Sequence, residues 1–146
     1  MVENISVRAL KKEDAEEIIR IHAAITKGPV ESDFKRVIEE HVQRGGNTSL
    51  VAEIQGRVVG YMITYILSGG FGIEKSAWIA LLGVDPKYMG RGIGKRLAQE
   101  VFIFCDKKDI KNIFTSVRWD SADMLSFFKT LGFDRSNFIN LKRTLE

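Results

Sequence analysis

Apolar residues recur along this chain with two periods, and the switches between them lay out the elements. Ile5-Ser6-Val7-Arg8-Ala9-Leu10 alternates in steps of two and predicts a first strand. Ala15, Ile18, Ile19 and His22 to Ile25 recur in steps of three and four, which predicts a helix with acids in its first turn, broken at Thr26-Lys27-Gly28-Pro29. Ser32 is placed to cap a second helix whose inner face carries Phe34, Val37, Ile38 and His41, and Gly45-Gly46 ends it. Leu50 to Ile54 and Val58 to Leu67 flank Gln55-Gly56-Arg57, a hairpin signal, and Ser68-Gly69-Gly70-Phe71-Gly72 reads as loop. Trp78 to Val84 has no polar alternation, so it is expected to be a central strand covered on both faces. Ile93, Leu97, Val101, Phe104 and Cys105 return to helical spacing, followed by a strand at Ile113 to Val117. A short helix starts at Ser121-Ala122-Asp123-Met124 and stops at Leu131-Gly132, with Gly132 as its left-handed cap. Phe133 and Phe138 to Leu145 are expected to close the fold as strands. The order β-α-α-β-β-β-α-β-α-β-β mixes hairpins with crossovers and predicts an α/β (α+β) sandwich with a mixed sheet.

Composition narrows the class. A chain of 146 residues, 45% of them hydrophobic, is expected to form one globular domain spanning 1–146. There is no run of about 18 apolar residues, so no membrane span is expected. The N-terminus lacks an apolar signal region, and the lone Cys105 lies on an apolar helix face, where it reads as a buried structural thiol. These features point to the cytoplasm. The net charge of +3 suits an anionic ligand. Nucleic acid is disfavoured as a partner, because the densest basic run, Lys107-Lys108-Asp109-Ile110-Lys111, is broken by an acid and reads as a solvated helix end. His22 and His41 lack ligand spacing, so no metal is expected.

The chemistry concentrates at Val84-Asp85-Pro86-Lys87-Tyr88-Met89-Gly90-Arg91-Gly92-Ile93-Gly94-Lys95. An apolar strand leads in and an amphipathic helix leads out. Pro86 and three alternate glycines lie between. Glycine lets the backbone take positive φ and approach a ligand closely. The first N–H groups of a helix lack internal partners and sit at its positive end, so the turn is a ready phosphate site. Arg91, Lys95 and Arg96 add charge of the same sign. The dinucleotide fingerprint fails in register, since Lys95 or Leu97 stands where its third glycine belongs. The P-loop fails too, with Met89 in place of glycine and Arg96 in place of Ser or Thr. What remains, V-x-P-x-Y-x-G-R-G-I-G-K, resembles the coenzyme-A loop of the GNAT superfamily of N-acetyltransferases. Gly92 and Gly94 match the last two positions of its [QR]-x-x-G-x-[GA] core, and Met89 departs at the first. The opening VRALKKEDAEEIIRIH resembles the start of such domains. Ser121-Ala122-Asp123-Met124-Leu125-Ser126-Phe127-Phe128-Lys129-Thr130-Leu131-Gly132-Phe133 resembles the family segment N-x-x-A-x-x-[LF]-Y-x-x-x-G-F, with Ser121 replacing its Asn and Phe128 its Tyr.

The resemblance covers essentially the whole chain. It implies the GNAT-like acyl-CoA N-acyltransferase fold, with a mixed, mostly antiparallel sheet flanked by helices. It also implies acetyl-CoA as co-substrate and transfer of its acetyl group to an amine acceptor: a small molecule, a peptide N-terminus or a lysine. On this basis the pyrophosphate is expected against Met89, Gly90, Arg91, Gly92, Ile93, Gly94 and Lys95. The pantetheine arm and the carbonyl oxygen are expected along Leu82, Gly83 and Val84, and Ser121 and Phe128 near the same ligand. Phe128 has no hydroxyl with which to protonate the leaving thiolate, but a thiol of pKa roughly 8.5 can depart unprotonated. A lysine amine, of pKa about 10.4, needs a proton acceptor at neutral pH. The apolar strand at Trp78 to Val84 offers no acid, so Asp120 is the first candidate, with Glu31 and Asp33 as alternatives. A non-catalytic CoA- or acyl-CoA-binding regulatory domain and an unrelated nucleotide-binding module are the competing readings. A homodimer is left open.

Overall fold

The computed structural model describes residues 4–27, 33–44, 48–68 and 74–146. The expected breaks at Gly28-Pro29 and Gly45-Gly46, the Ser32 cap, Glu31 and the loop glycines at 69–72 lie outside them. The chain divides into two compact units, Met1–Thr115 and Ser116–Glu146.

The first unit holds a five-stranded sheet in the order β1-β2-β3-β4-β5, formed by β1 (Ile5–Ala9), β2 (Leu50–Ile54), β3 (Arg57–Leu67), β4 (Ser76–Val84) and β5 (Ile113–Thr115). The first three pairings are antiparallel and β4–β5 is parallel, so the sheet is mixed and mostly antiparallel. The β2–β3 turn contains only Gln55 and Gly56, both at positive φ (53° and 78°), the geometry that matches the twist of a tight hairpin. Helices α1 (Ala15–Thr26), α2 (Phe34–Arg44) and α3 (Ile93–Lys107) complete this unit.

The helices form because each has one apolar face to bury. Ile18 and Ile21 of α1 and Ile38 of α2 are buried in a core with Leu10, Val51, Val58, Tyr61 and Ile63. On α3, Ile93, Leu97, Val101 and Cys105 are buried, so the thiol is structural and burial pushes its pKa up. Gly60 lies where α3 packs on β3, and a Cβ built there would lie 2.8 Å from Cγ2 of Ile93, so a larger residue forces a shift in the packing. The start of α1 is held by Asp14, whose carboxylate accepts from Lys11 N at 2.8 Å and from both Arg8 terminal nitrogens at 2.8 Å. Arg8 also pairs with Glu53 at 3.1 Å.

Two register shifts matter for the site. Between β3 and β4, Ile63 pairs with Leu81 and Thr64 with Ile79, so Ala80 is an extra, bulged residue. Between β2 and β3, Ala52 pairs with Gly60 and Glu53 with Val58, leaving Val59 extra. The bulge corrects the expectation that residues 78–84 are covered on both faces: Ala80 is exposed and Leu81 and Leu82 are only half-buried.

A polar cluster lies between α2 and the sheet. His41 Nε2 is hydrogen-bonded to Ser49 Oγ, which accepts from Thr64 N at 3.0 Å, and the His41 ring meets Tyr65 edge-on at 4.5 Å. His41 Nδ1 is buried and has no hydrogen-bond partner among the described residues. Burial, helped by the positive charge of Arg44, lowers the His41 pKa from its ordinary 6.5. The unfolded chain therefore takes up a proton below pH 6.5 that the folded chain refuses, and stability is full above that pH and is lost as the pH falls through it. The unfolding free energy from urea titrations between pH 7.5 and 5 is expected to fall with acidification by at most about 1.4 kcal/mol per pH unit, one proton's worth, and His41→Gln should flatten that slope.

The second unit holds α4 (Ala122–Thr130), which ends in a complete Schellman motif. Gly132, at φ +94°, donates to Lys129 O at 3.0 Å, and Phe133 N donates to Phe128 O at 3.0 Å. The rings of Phe128 and Phe133 meet at 5.1 Å. The expected left-handed stop at Gly132 is thus found, but the closing strands at Phe133 and Phe138 to Leu145 are not. Among the described residues no ladder includes them, and Ile139, Leu141 and Leu145 are exposed. Near the start of this stretch, local polar groups take up the backbone instead. Asp134 Oδ1 accepts from Arg135 N at 2.8 Å and Ser136 Oγ from Phe138 N at 3.1 Å, contacts that compete with sheet pairing.

Candidate active site: the open edge of β4 and the glycine turn

The parallel pairing of β4 with β5 is short. It runs through Ala77–Ile113, Trp78–Phe114 and Ile79–Thr115, and Thr115 Oγ1 donates to Ile79 O at 3.0 Å. Beyond the Ala80 bulge no strand is recorded on the β5 side of Leu81 to Val84 among the described residues. This stretch of β4 therefore presents backbone N–H and C=O groups along an open edge, ready to pair with an extended ligand.

That edge runs into a tightly held turn. Asp85 is buried, and its N–H donates to the carbonyl of Val59, the extra residue of the β2–β3 bulge, at 2.8 Å. Its Oδ1 accepts from Lys87 N at 3.0 Å and its carbonyl from Tyr88 N at 2.8 Å, shaping a short 3-10 turn over Pro86–Tyr88. Pro86 suits the first position of that turn, where no N–H is needed. The chain then passes Met89, which is exposed, and reaches Gly90 and Gly92, both at φ +79°. A Cβ at either glycine would meet nothing within 4 Å. Glycine is required here by backbone conformation, and the space above the turn is open. Gly92 caps α3, and the first helical bond recorded across the cap runs from Arg96 N to Gly92 O at 2.9 Å. The N–H groups of Ile93, Gly94 and Lys95 thus have no partner within the helix and lie at its positive end. Lys95 is exposed, and the Arg91 guanidinium lies over the Tyr88 ring at 4.9 Å. The structure brings Leu82 to Val84 and Met89 to Lys95 together as one continuous strand–turn–helix surface. It can hold a phosphate at the helix start and an extended amide-bearing chain along β4.

Two residues bordering this surface are missing from the sequence reading as functional positions. Tyr61, fully buried, lies against Gly83, where a built Cβ would come within 2.6 Å of its hydroxyl. That hydroxyl lies 3.3 Å from His22 Nδ1, and His22 stacks on Phe34 at 4.7 Å. Burial raises the Tyr61 pKa to about 12, so the phenol stays protonated. The His22 spacing on the helix and the tyrosine in an apolar strand were visible in sequence, but nothing in the sequence pairs positions so far apart.

The second unit carries the other expected residues. Ser121 precedes α4, makes no side-chain cap and accepts Leu125 N on its carbonyl at 3.0 Å. Phe128 is buried between the rings of Phe127 and Phe133. Asp120 is exposed and forked to Arg118 by two bonds of 3.0 Å, which hold its carboxyl below the ordinary carboxylate value. Asp33, the alternative acid, is exposed and lies 3.7 Å from Arg36. Among the described residues no cluster of three or more His, Cys, Asp or Glu is arranged for a metal, and no helix is long and apolar enough to cross a membrane.

Comparison with known proteins gives the family and the fold. Residues 15–133 match the acetyltransferase (GNAT) family profile, across the boundary between the two units. Among solved structures, an aminoglycoside acetyltransferase from an uncultured soil metagenomic sample, in complex with sisomicin, is similar at a TM-score of 0.79 and 19% identity over 97% of each chain. An aminoglycoside N-acetyltransferase in complex with CoA is similar at 0.81 and 17% identity, over 97% of this chain and 95% of that one. A ribosomal-protein-alanine N-acetyltransferase from Brucella melitensis biovar Abortus 2308 is similar at 0.79 and 15% identity, over 98% of this chain and 100% of that one. A profile match over most of its length, carried on a strand–glycine turn–helix of this geometry, makes the chain a member of the acetyltransferase (GNAT) family.

Proposed function

We propose that this protein is an N-acetyltransferase that takes the acetyl group of acetyl-CoA and passes it to a primary amine. The observation that carries the reading is the unpaired edge of β4 at Leu81 to Val84 running directly into the positive-φ turn and the start of α3. In this reading the N–H groups from Met89 to Lys95 hold the pyrophosphate, and Leu82 to Val84 pair with the amide groups of the pantetheine arm. By the family resemblance the N–H near Leu82 holds the carbonyl oxygen as charge builds on it, and Ser121 and Phe128 are assigned to the same ligand. Donors fixed beforehand in this way are commonly worth several kcal/mol in a transition state.

The thioester supplies an activated acyl carbon and a leaving group that departs as thiolate. The amine nitrogen bonds to that carbon as the carbon–sulfur bond breaks, and the nitrogen gives up one proton. Asp120 is the proposed proton acceptor, a weak one while Arg118 is forked to it. The structural relatives include enzymes named for aminoglycosides and for a ribosomal-protein alanine, so both small amines and protein amines belong in the test.

A second reading, a CoA-binding module without turnover, is favoured by two observations: Phe128 offers no hydroxyl, and Asp120 is tied to Arg118. Free-thiol release from acetyl-CoA, measured against aminoglycosides, polyamines, peptide N-termini and lysine peptides, separates the two. Acceptor-dependent thiol release is expected with at least one amine class. Tight CoA binding with no acceptor-dependent release would favour the second reading.

A further inference from the structure

We propose that Arg20, on α1, is a positioning residue for the phosphate-binding turn, acting through Asp85. The inference rests on the reading that coenzyme A occupies that turn. Arg20 lies 65 positions before Asp85, and no motif links them, yet its Nη1 donates to Asp85 Oδ2 at 2.9 Å. Its Nη2 donates to Val58 O at 3.2 Å, and its Nε and Nη2 both donate to Glu17 Oε2, at 2.9 and 2.8 Å. One guanidinium thus ties together α1, β3 and the residue at which β4 ends.

What Asp85 does with its remaining groups makes this link functional. Its Oδ1 holds Lys87 N, its carbonyl holds Tyr88 N and its N–H is anchored on Val59 O. Every polar atom of Asp85 is therefore committed, and all but the Arg20 bond define the turn that delivers Gly90 and Gly92 to the start of α3. The carboxylate is buried, and a buried carboxylate is tolerated only when paired. Without Arg20, only the Lys87 N–H and the charge of Arg57 still favour the ionised carboxylate, and Oδ2 turns outward to water, which loosens the bond that Lys87 N donates to Oδ1. Within the turn the Arg91 guanidinium lies over the Tyr88 ring at 4.9 Å, and both glycines hold a positive φ of 79°. Asp85 fixes the end at which the chain enters this turn, and α3 the end at which it leaves. Backbone donors bind phosphate well only if they are held in place before the ligand arrives. Burial tends to raise the Asp85 pKa, but the Lys87 N–H and the Arg20 guanidinium outweigh it and hold the carboxyl below its ordinary value, as a permanently charged anchor requires.

The test compares Arg20→Met with Arg8→Met in the full chain. Arg8 joins a carboxylate cluster of the same kind, with Asp14 and Glu53, and its bonds among the described residues do not reach Asp85 or the turn. Hydrogen exchange at the amides of Lys87 and Tyr88 reads the anchor without any ligand, and calorimetry with CoA reads its consequence. Arg20→Met is expected to speed exchange at both amides by about tenfold and to weaken CoA binding by about tenfold, the scale of one lost charge-assisted hydrogen bond. Arg8→Met is expected to leave both readouts at wild-type values, whatever it does to the melting temperature. Asp85→Asn, which keeps an oxygen for Lys87 N but turns an amide NH2 toward Arg20 and so loses that bond, should move both readouts the same way. Exchange and affinity in Arg20→Met equal to those in Arg8→Met would overturn the proposal. If the wild-type protein itself does not bind CoA, the coenzyme reading falls. The exchange data then still decide the anchor: faster exchange in Arg20→Met upholds it and unchanged exchange removes it.

Discussion

Gly92→Asp is expected to weaken coenzyme A binding by a hundredfold or more, whereas Gly92→Asn costs far less. Both substitutions meet the same steric situation. Gly92 sits at φ +79° and ψ 16°, a left-handed conformation that costs most L-residues roughly 1–2 kcal/mol, with Asn and Asp the most tolerant. Neither side chain is crowded at its Cβ, because nothing lies within 4 Å of that position. Both also suit the helix cap they would occupy, and the carboxylate favours the positive end of α3. The fold should therefore bear either change with a small shift in melting temperature. The difference lies in charge. A carboxylate about 5 Å from a phosphate, at an effective dielectric constant of 20, repels it by about 3 kcal/mol, or roughly two orders of magnitude in affinity. It would also occupy the N–H groups on which the phosphate depends. Calorimetric titration of CoA into the two variants checks this. Equal affinity in Gly92→Asp and wild type would remove the phosphate from this turn.

Gly83→Ala is expected to destabilise the first unit strongly, with a tighter clash than Gly60→Ala would meet. The added Cβ would lie 2.5 Å from Cε1 of Tyr61 and 2.6 Å from its Cζ and hydroxyl oxygen. Real carbon atoms do not approach so closely, and Tyr61 cannot swing aside, because it is fully buried in the core beneath α1 and α2. Overpacking of this kind costs about 1–3 kcal/mol, or roughly 2–10 °C in melting temperature for a chain of this length. It should also break the contact from the Tyr61 hydroxyl to His22. Shortening the obstruction gives the check: in a Tyr61→Leu background, Gly83→Ala should cost much less, so the pair is strongly non-additive. Additive losses by thermal or urea unfolding would mean that the strain is relieved by moving β4 rather than the ring. The same clash explains why glycine stands at 83, a position the sequence reading assigned to the ligand. Gly83 is needed for the tyrosine behind it as well as for any chain laid along the edge.

Much of the architecture was legible because it is encoded over short distances. The Gln55-Gly56 hairpin, the Pro86 turn, the left-handed glycines at 90 and 92 and the Schellman stop at Gly132 each depend on a few neighbouring residues. Backbone conformation at such positions is decided by local sterics, so the residue types announce it. The helix faces of Ala15, Ile18, Ile38, Leu97 and Val101 were legible for the same reason, whereas Ile25 and Val37, expected on the inner faces of α1 and α2, are exposed, and Ile21, outside the expected stripe, is fully buried. The glycine turn before α3 belongs to this class, and so does the family that it marks.

The features that no local pattern carries were decided by the tertiary structure. Whether Phe138 to Leu145 becomes a strand depends on a partner edge, and alternation alone supplies only a face. The exposure of Ala80 comes from a bulge between β3 and β4, a matter of register between two strands. The contacts of Arg20 with Asp85, of Tyr61 with Gly83 and of His41 with Ser49 each join residues that are neighbours only once the chain has folded. Side chains of these types occur on many surfaces, and their chemistry changes only when burial removes water and leaves them each other. The sequence alone determined the backbone conformation of the glycine turn and the family to which the chain belongs. The fold decided which carboxylate is fixed, which phenol stays protonated and which strand edge is left open, because those outcomes depend on distances and burial that only packing sets.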